Sequence, residues 1–222
     1  MINLRPYASR ELAAIGLASK IIKRLQSEIA LGNSVSLALP GGSTPYLLYQ
    51  QLAKQAIDWD RVCIINSDER CVDKQHDRSN YHNMLSCLCD GAIPRSSVSW
   101  LDCSLDDQQL ASFYDQRIKR LSVCVLGMGD DGHIASLFPG SSVIDLQPSN
   151  GLVHADAAEG LESRITLSPS AILDALDIHI LLYGSNKKAV LDKAARGDDV
   201  MAMPIRMLLA QTQKDIEIHY AD

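Results

Sequence analysis

The stretch VCVLGMGDDGHIASLFPG, residues 123–140, decides how the rest of the chain is interpreted. It begins with a short apolar run, β-branched at Val123 and Val125, which predicts a buried strand. Three glycines then allow a sharp turn and a close approach of the backbone to a ligand. We expect a one-turn helix to follow and to end before Pro139. A strand that ends in a glycine-rich polar turn is typical of a parallel sheet that binds a ligand at the carboxyl ends of its strands.

Apolar runs and helical patterns alternate along the rest of the chain. A first helix is predicted over 9–31, with Ser9 as its N-cap and Gly32 at its end. Further helices are predicted at 46–56 (capped by Thr44), 81–87, 106–120, 169–176, from the turn at 184–188 to about 196, and from Pro204. Strands are predicted at 35–39, 62–66, 98–100 (an edge strand), 152–155, 164–167, 178–183 and 216–220 (an edge strand).

This alternation predicts an α/β fold with a mostly parallel sheet covered by helices on both faces. The two short strands 152–155 and 164–167 predict a small accessory β region within about 140–168. Because the sequence shows neither an internal repeat nor a linker, we expect a single domain over residues 1–222.

Composition argues against several classes of protein. The chain has 222 residues, a net charge of −6 and only 5% aromatic residues. An acidic chain with few aromatics and no basic stripe is not expected to bind nucleic acid. No apolar run reaches the roughly 18 residues that a membrane span needs, so we expect no membrane partner. The first residues carry no secretory signal, and we expect a cytoplasmic protein.

Six cysteines, at positions 63, 71, 87, 89, 103 and 124, form no CxxC pair. This pattern is typical of reduced, structural thiols rather than of a disulfide framework. A redox or metal role for Cys87 and Cys89 is the alternative, and no further ligand cluster accompanies them.

Four of the predicted strands lead into unusual polar turns. Because the carboxyl ends of parallel strands meet at one edge of a sheet, we expect the four turns to lie together. They are Gly41-Gly42-Ser43-Thr44, Asp68-Glu69-Arg70, Asp130-Asp131-Gly132-His133 and Ser185-Asn186-Lys187-Lys188.

The first and last of these turns predict a phosphate site. Backbone N–H groups at Gly41 and Gly42, the hydroxyls of Ser43 and Thr44, and the start of a helix all suit an anion. Lysine in the first turn of a helix is unfavourable unless an anion neutralises it, which favours a phosphate contact for Lys187. The alternatives are an ordinary helix start and a lysine that extends into water.

Two arginines and one histidine complete the candidate set. Arg70 offers a guanidinium fork for phosphate or oxyanion charge, unless it only pairs with Asp68 or Glu69. Arg164, which opens a strand, is a second candidate or else a surface residue. Of the six histidines, His133 lies inside a glycine turn, whereas 154, 179 and 219 interrupt strands and are interpreted as structural.

Taken together, these segments resemble the 6-phosphogluconolactonase family. The likeness runs from about residue 35 to residue 210 in unbroken order. The segments that carry it are LPGGSTP at 39–45, DER at 68–70, SNY at 79–81, LGMGDDGHIASLFPG at 126–140, RITL at 164–167 and GSNK at 184–187.

The resemblance implies a Rossmann-like fold shared with glucosamine-6-phosphate deaminase, ribose-5-phosphate isomerase and CoA transferases. It implies hydrolysis of 6-phosphoglucono-δ-lactone in the pentose phosphate pathway, with no required metal or organic cofactor. The deaminases are the nearest alternative, but their turn continues into a Phe-Asn-Glu-Pro-like segment that supplies a carboxylate. Here the residues are Ser136-Leu137-Phe138-Pro139, without an acid. A non-catalytic sugar-phosphate sensor is a further alternative.

Lactone hydrolysis needs a base for water and donors for the oxyanion, and a histidine suits the first task near neutral pH. We therefore predict His133 as the base, Asp131 as the group that orients it, and Arg70 as a stabiliser of negative charge. The partner is a phosphosugar lactone, and the chain is a monomer or a small homo-oligomer. The predicted substrate- and phosphate-binding residues are Gly41, Gly42, Ser43, Thr44, Asp68, Arg164 and Lys187.

Overall fold

The computed structural model describes residues 2–145, 151–156 and 161–222. Within these ranges, a six-stranded parallel sheet has the order β1-β9-β8-β5-β2-β3, and a second sheet has the order β4-β7-β6. The strands are β1 (Ile2–Pro6), β2 (Val35–Leu39), β3 (Val62–Asn66), β4 (Asp68–Arg70), β5 (Val123–Leu126), β6 (Leu152–Ala155), β7 (Arg164–Leu167), β8 (Asp177–Tyr183) and β9 (Ile216–Ala221).

Helices cover both faces of the six-stranded sheet, as the alternation of patterns predicts. One core packs α1, α2 and α3 on the sheet, and the other packs α4 to α7 together with the small sheet. Successive strand residues alternate between these cores, for example Val123 and Cys124 in β5. The helices are α1 (Arg10–Ala30), α2 (Tyr46–Leu52), α3 (Asn80–Leu88), α4 (Asp107–Arg117), α5 (Pro169–Asp174), α6 (Ser185–Ala194) and α7 (Arg206–Ala210).

The predicted accessory layer is an antiparallel sheet, and it has one strand more than expected. Besides β6 and β7 it contains β4, which the sequence analysis interprets as a polar turn. Ile165 and Leu167 of β7 share a core with Cys124 of the large sheet. Within the predicted accessory region 140–168, residues 146–150 and 157–160 lie outside the described residues.

Several local predictions are wrong. Residues 98–100 form only an isolated bridge between Val98 and Ile64, not an edge strand. No helix follows the glycine turn, where Ile134 and Leu137 instead form an isolated antiparallel bridge. Thr44 does not cap α2, because the N-cap position is Pro45 and no side chain caps it.

The strand at 216–220 is not an edge strand. β9 lies between β8 and β1, and β1 forms the edge. All five residues of β1 are exposed. The alternation of Ile2 and Leu4 with polar residues is too short to predict a strand.

The prediction of reduced cysteines fails at one pair. Cys71 and Cys103 form a disulfide, whereas Cys63, Cys87, Cys89 and Cys124 are free. Spacing along the chain does not determine which cysteines approach each other in the fold. Because Cys71 directly follows Arg70, the bond ties the end of β4 to the loop before α4.

We expect reduction of this disulfide to lower the free energy of unfolding. Its cysteines are 32 residues apart, and closing a loop of that length stabilises a fold by about 3–4 kcal/mol in the chain-entropy model. Urea unfolding with and without dithiothreitol measures the difference, and Cys103→Ser reproduces it. Cys87→Ser, which removes a free thiol, is the control; equal stability of the oxidised and reduced chain would contradict this expectation.

None of the described helices combines the length and the apolar character that crossing a membrane requires.

Candidate active site

The polar turns that follow β2, β3 and β5 and the start of α6 border one cleft of about 360 Å³. β8, β5, β2 and β3 are consecutive in the sheet, so their carboxyl ends lie side by side as predicted. The cleft is lined by Pro40, Gly41, Gly42, Thr44, Pro45, Ser67, Asp68, Arg70, Asn80, Gly127, Met128, Gly129, His133, Ala135, Ser136, Phe138, Leu161, Arg164 and Lys187.

The turn after β5 brings His133 to the cleft. The backbone closes on itself, with Gly129 N donating to His133 O at 2.8 Å. A Cβ at Gly129 would lie 2.1 Å from His133 Nδ1 and 2.6 Å from Asp131 Oδ1, so only glycine fits there. Gly132 also needs its conformational freedom because its φ is +84°. The glycines therefore set the position of the imidazole.

Asp131 holds His133 at two points. Its Oδ1 lies 2.7 Å from His133 Nδ1 and accepts a 3.0 Å hydrogen bond from His133 N. Burial alone would raise the pKa of Asp131. The contacts with His133 outweigh this effect, and the pKa of Asp131 lies below its usual value. The carboxylate is thus held ionised beside the ring. Phe138 packs on the imidazole, with ring centroids 4.8 Å apart.

The turn after β2 packs against the start of α3 at the cleft. A Cβ at Gly41 would lie 2.3 Å from the side chain of Asn80, so this glycine permits close packing of the turn on α3. Asn80 Nδ2 also donates to Asp68 O at 2.9 Å. Ser43 is exposed and does not line the cleft, whereas Thr44 does.

Two arginines lie next to each other on neighbouring strands of the small sheet. Arg70 of β4 and Arg164 of β7 are register partners in antiparallel strands. Arg164 is only 7% exposed, and its Nε has no hydrogen-bond partner among the described residues. Burial lowers the pKa of Arg164; the charge of Asp68 opposes this shift, and the charge of Arg70 adds to it. Like charges opposite one another destabilise a sheet, so this pair favours a bound anion between them.

Lys187 lies in the first turn of α6 and reaches the same cleft. Its Nζ pairs with Asp130 Oδ1 at 2.7 Å. The neighbouring Lys188 instead pairs with Asp192 of its own helix. Of the two lysines, only Lys187 lines the cleft.

The structure also identifies polar residues at the cleft that the sequence analysis does not single out. Ser136 Oγ donates to Asp68 Oδ2 at 2.6 Å, so Asp68 is held by the glycine turn rather than paired with an arginine. Glu69 is buried and likewise has no arginine side chain as partner. It accepts hydrogen bonds from Arg70 N, Asn80 N, Tyr81 N and Ser79 Oγ. The tripeptide Ser79-Asn80-Tyr81 is the one sequence signal for this arrangement.

A parallel α/β sheet with a carboxylate-oriented histidine and three cations at its carboxyl edge defines an enzyme-like site for a small anionic substrate. The model of the family described as glucosamine-6-phosphate isomerases/6-phosphogluconolactonase matches residues 8–217. The chain belongs to this family.

Individual relatives agree with that membership. The chain is 33% identical over 228 residues to a 6-phosphogluconolactonase of Rhizobium meliloti (strain 1021), covering 99% of this chain and 98% of the relative. A 6-phosphogluconolactonase structure from Shewanella baltica OS155 superposes with a TM-score of 0.91 at 32% identity, covering 100% and 98% of the two chains. A monomeric glucosamine-6-phosphate deaminase, at 16% identity and a TM-score of 0.80, shares the fold.

Proposed function

We propose that this chain hydrolyses 6-phospho-D-glucono-1,5-lactone to 6-phospho-D-gluconate, the lactonase reaction of the pentose phosphate pathway. One observation carries the proposal: the opposed arginines Arg70 and Arg164 share a cleft with the His133–Asp131 pair. The arginines suit a dianionic phosphate, and the imidazole suits proton transfer to and from an ester.

In the proposed mechanism, His133 removes a proton from the attacking water. When Nδ1–H donates to Asp131 Oδ1, the lone pair of the ring is on Nε2, which is then the basic atom. The imidazolium of His133 then gives the proton to the lactone ring oxygen, which is the leaving group. Asp131 fixes the tautomer and stabilises the imidazolium, and no covalent intermediate is required.

Binding of the phosphate is assigned to Arg164, Lys187, Gly42 and Thr44, all of which line the cleft. Three cations and one carboxylate, Asp68, are the charged residues in that lining, so the cleft is locally positive in a chain whose net charge is −6. Arg70 is placed to stabilise charge on the phosphate or on the tetrahedral intermediate. Gly41 makes room for Asn80. Ser43 does not line the cleft and is therefore not proposed as a ligand.

The deaminase reaction is the second candidate, because a deaminase shares the fold. The segment after His133 supplies no carboxylate: Ser136, Phe138 and Ala135 are its cleft-lining residues. Acid release from freshly generated 6-phosphogluconolactone, compared with ammonia release from glucosamine 6-phosphate, tests the two reactions. We expect turnover of the lactone only. Phosphosugar binding without turnover of either compound would favour a sensor and overturn the proposal.

We expect Lys187→Met to raise KM for the lactone by about 10–100-fold with little change in kcat, because a hydrogen bond to a charged group contributes about 1.5–3 kcal/mol. Steady-state kinetics measure both constants. Lys188→Met is the matched control, since that neighbouring lysine pairs with Asp192. Equal KM values for the two variants would remove Lys187 from the phosphate site.

We further propose a cytoplasmic protein that acts as a monomer or a small homo-oligomer and binds no nucleic acid. A phosphorylated substrate supports the location, because its charge opposes passage through a membrane. The net charge of −6 supports the absence of a nucleic-acid partner.

A further inference from the structure

A second cluster of ligating side chains lies away from the cleft, on the face of the large sheet that α1 covers. His179 of β8 is the register partner of Glu217 in β9, and His219 follows two residues along on the same face. Both histidines are buried. None of the three residues lines the cleft.

The three side chains present their ligand atoms to a common point. His179 Nδ1 and His219 Nε2 are hydrogen-bonded to each other at 3.3 Å, and Glu217 Oε2 lies 3.9 Å and 3.6 Å from them. A bound metal ion would replace that hydrogen bond. A tetrahedral zinc ion with bonds of about 2.0–2.1 Å requires separations of about 3.3–3.5 Å between its ligands. Small side-chain rotations are enough to reach that geometry.

One unpaired atom indicates that a group is needed there. Glu217 Oε2 is buried and has no hydrogen-bond partner among the described residues. Buried polar atoms are rarely left without a partner. A cation between the three ligand atoms would pair with Glu217 Oε2.

The far nitrogen of His219 has the support that ligating histidines usually have. Tyr7 Oη lies 3.0 Å from His219 Nδ1, and such an outer contact orients the ring toward a metal. Gly16 in α1 makes room for this tyrosine, since a Cβ there would lie 2.6 Å from Tyr7 Oη. A glycine inside a helix is less stable there than alanine would be. The packing of α1 therefore accommodates the arrangement.

The chemistry of the three side chains suits coordination. Neutral imidazole and ionised carboxylate are the forms that bind metals.

We propose that His179, Glu217 and His219 form a binding site for a divalent transition-metal ion of the zinc type, with a fourth position left for water. Two imidazoles and one carboxylate are a recurrent zinc ligand set. The ion would join β8 to β9 beside the edge strand β1. Arg5 and Lys20 each lie 2.8 Å from Glu217 Oε1, and their positive charges would repel a metal ion at Oε2. Their side chains are 44% and 41% exposed, so they can turn toward water.

Titration of the untagged chain with Zn²⁺, followed by calorimetry and by the thermal midpoint Tm, tests the site. We expect one Zn²⁺ to bind per chain and to raise Tm. Co²⁺ should give the visible bands of a tetrahedral nitrogen and oxygen site without a thiolate charge-transfer band. No binding, or a thiolate band, would overturn the proposal.

His179→Gln removes one ligand and should weaken Zn²⁺ binding at least about 100-fold, since loss of an outer contact alone weakens binding about 10–100-fold. His154→Gln is the matched control, because that histidine meets one carboxylate, Asp107, at 2.7 Å. Equal affinities of the two variants would overturn the assignment.

Lys20→Met leaves the ligands in place and, by removing a competing cation, should tighten binding; an affinity at or below that of the unaltered chain would contradict the site.

Discussion

Replacing His133 with alanine is expected to lower kcat for lactone hydrolysis by about 10²–10⁴, the usual contribution of a positioned acid–base group. The loss follows from the proposed role, because water would then attack without a base and the leaving oxygen would depart without a proton. Stability should change little, since the side chain of His133 is 32% exposed and its polar contacts are with Asp131. Steady-state kinetics and the Tm measure the two effects.

A second histidine in the chain provides a close control. His154 also lies 2.7 Å from a carboxylate, that of Asp107, but it does not line the cleft. His154→Ala should therefore leave kcat unchanged. If His133→Ala kept near-normal turnover, or if both variants lost activity equally, His133 would not be the base.

The role of the orienting carboxylate can be separated from that of the base. Asp131→Asn keeps the size of the side chain but removes the charge that favours an Nδ1–H tautomer and an imidazolium. We expect this variant to retain the substrate KM and to lose part of kcat. An unchanged kcat would reduce Asp131 to a structural element of the turn.

The parts of the fold that local sequence patterns encode are the parts that the sequence predicts. β2, β3, β5 and β8 are predominantly apolar and largely buried on both faces, and that pattern depends on no distant residue. Their shared carboxyl edge follows from the parallel topology alone. The gathering of polar turns at one rim could therefore be predicted.

Other features depend on contacts between distant segments, and no local pattern encodes them. β1 is exposed along its length and has only Ile2 and Leu4 at alternating positions, so no local pattern predicts its pairing with β9. The Cys71–Cys103 bond and the register of Arg70 against Arg164 arise only when the second sheet assembles. Asp68-Glu69-Arg70 is too short and too polar to predict as a strand, although its register decides the electrostatics of the cleft.

Glu69 shows how much of the site depends on one buried carboxylate. Burial raises the pKa of this group, and hydrogen bonds from the backbone of Tyr81, Asn80 and Arg70 oppose that shift. Oε1 accepts from Arg70 N and Asn80 N, each at 2.7 Å, and Oε2 accepts from Tyr81 N at 2.7 Å and from Ser79 Oγ at 3.1 Å. The carboxylate thus joins β4 to the first turn of α3.

Glu69→Gln is expected to lower the free energy of unfolding by about 2–5 kcal/mol, since hydrogen bonds to a charged group contribute about 1.5–3 kcal/mol each. The amide has the same shape, but its NH₂ group would face the N–H groups of Arg70 and Asn80 at one position and that of Tyr81 at the other, so at least one backbone donor would lose its acceptor. Arg70 and Asn80 both line the cleft, so lactonase activity should fall together with stability. Urea unfolding and kinetics below the transition measure both changes.

Glu162→Gln is the control for the Glu69 substitution. Its carboxylate pairs with Arg78, whose side chain is 46% exposed, and an ion pair near the surface contributes little to stability. The backbone of β4 and α3 would hold the cleft without the Glu69 carboxylate if Glu69→Gln lowered the free energy of unfolding no more than Glu162→Gln does. If Glu69→Gln lost stability but kept its activity per folded molecule, Glu69 would stabilise the fold without being needed to position Arg70.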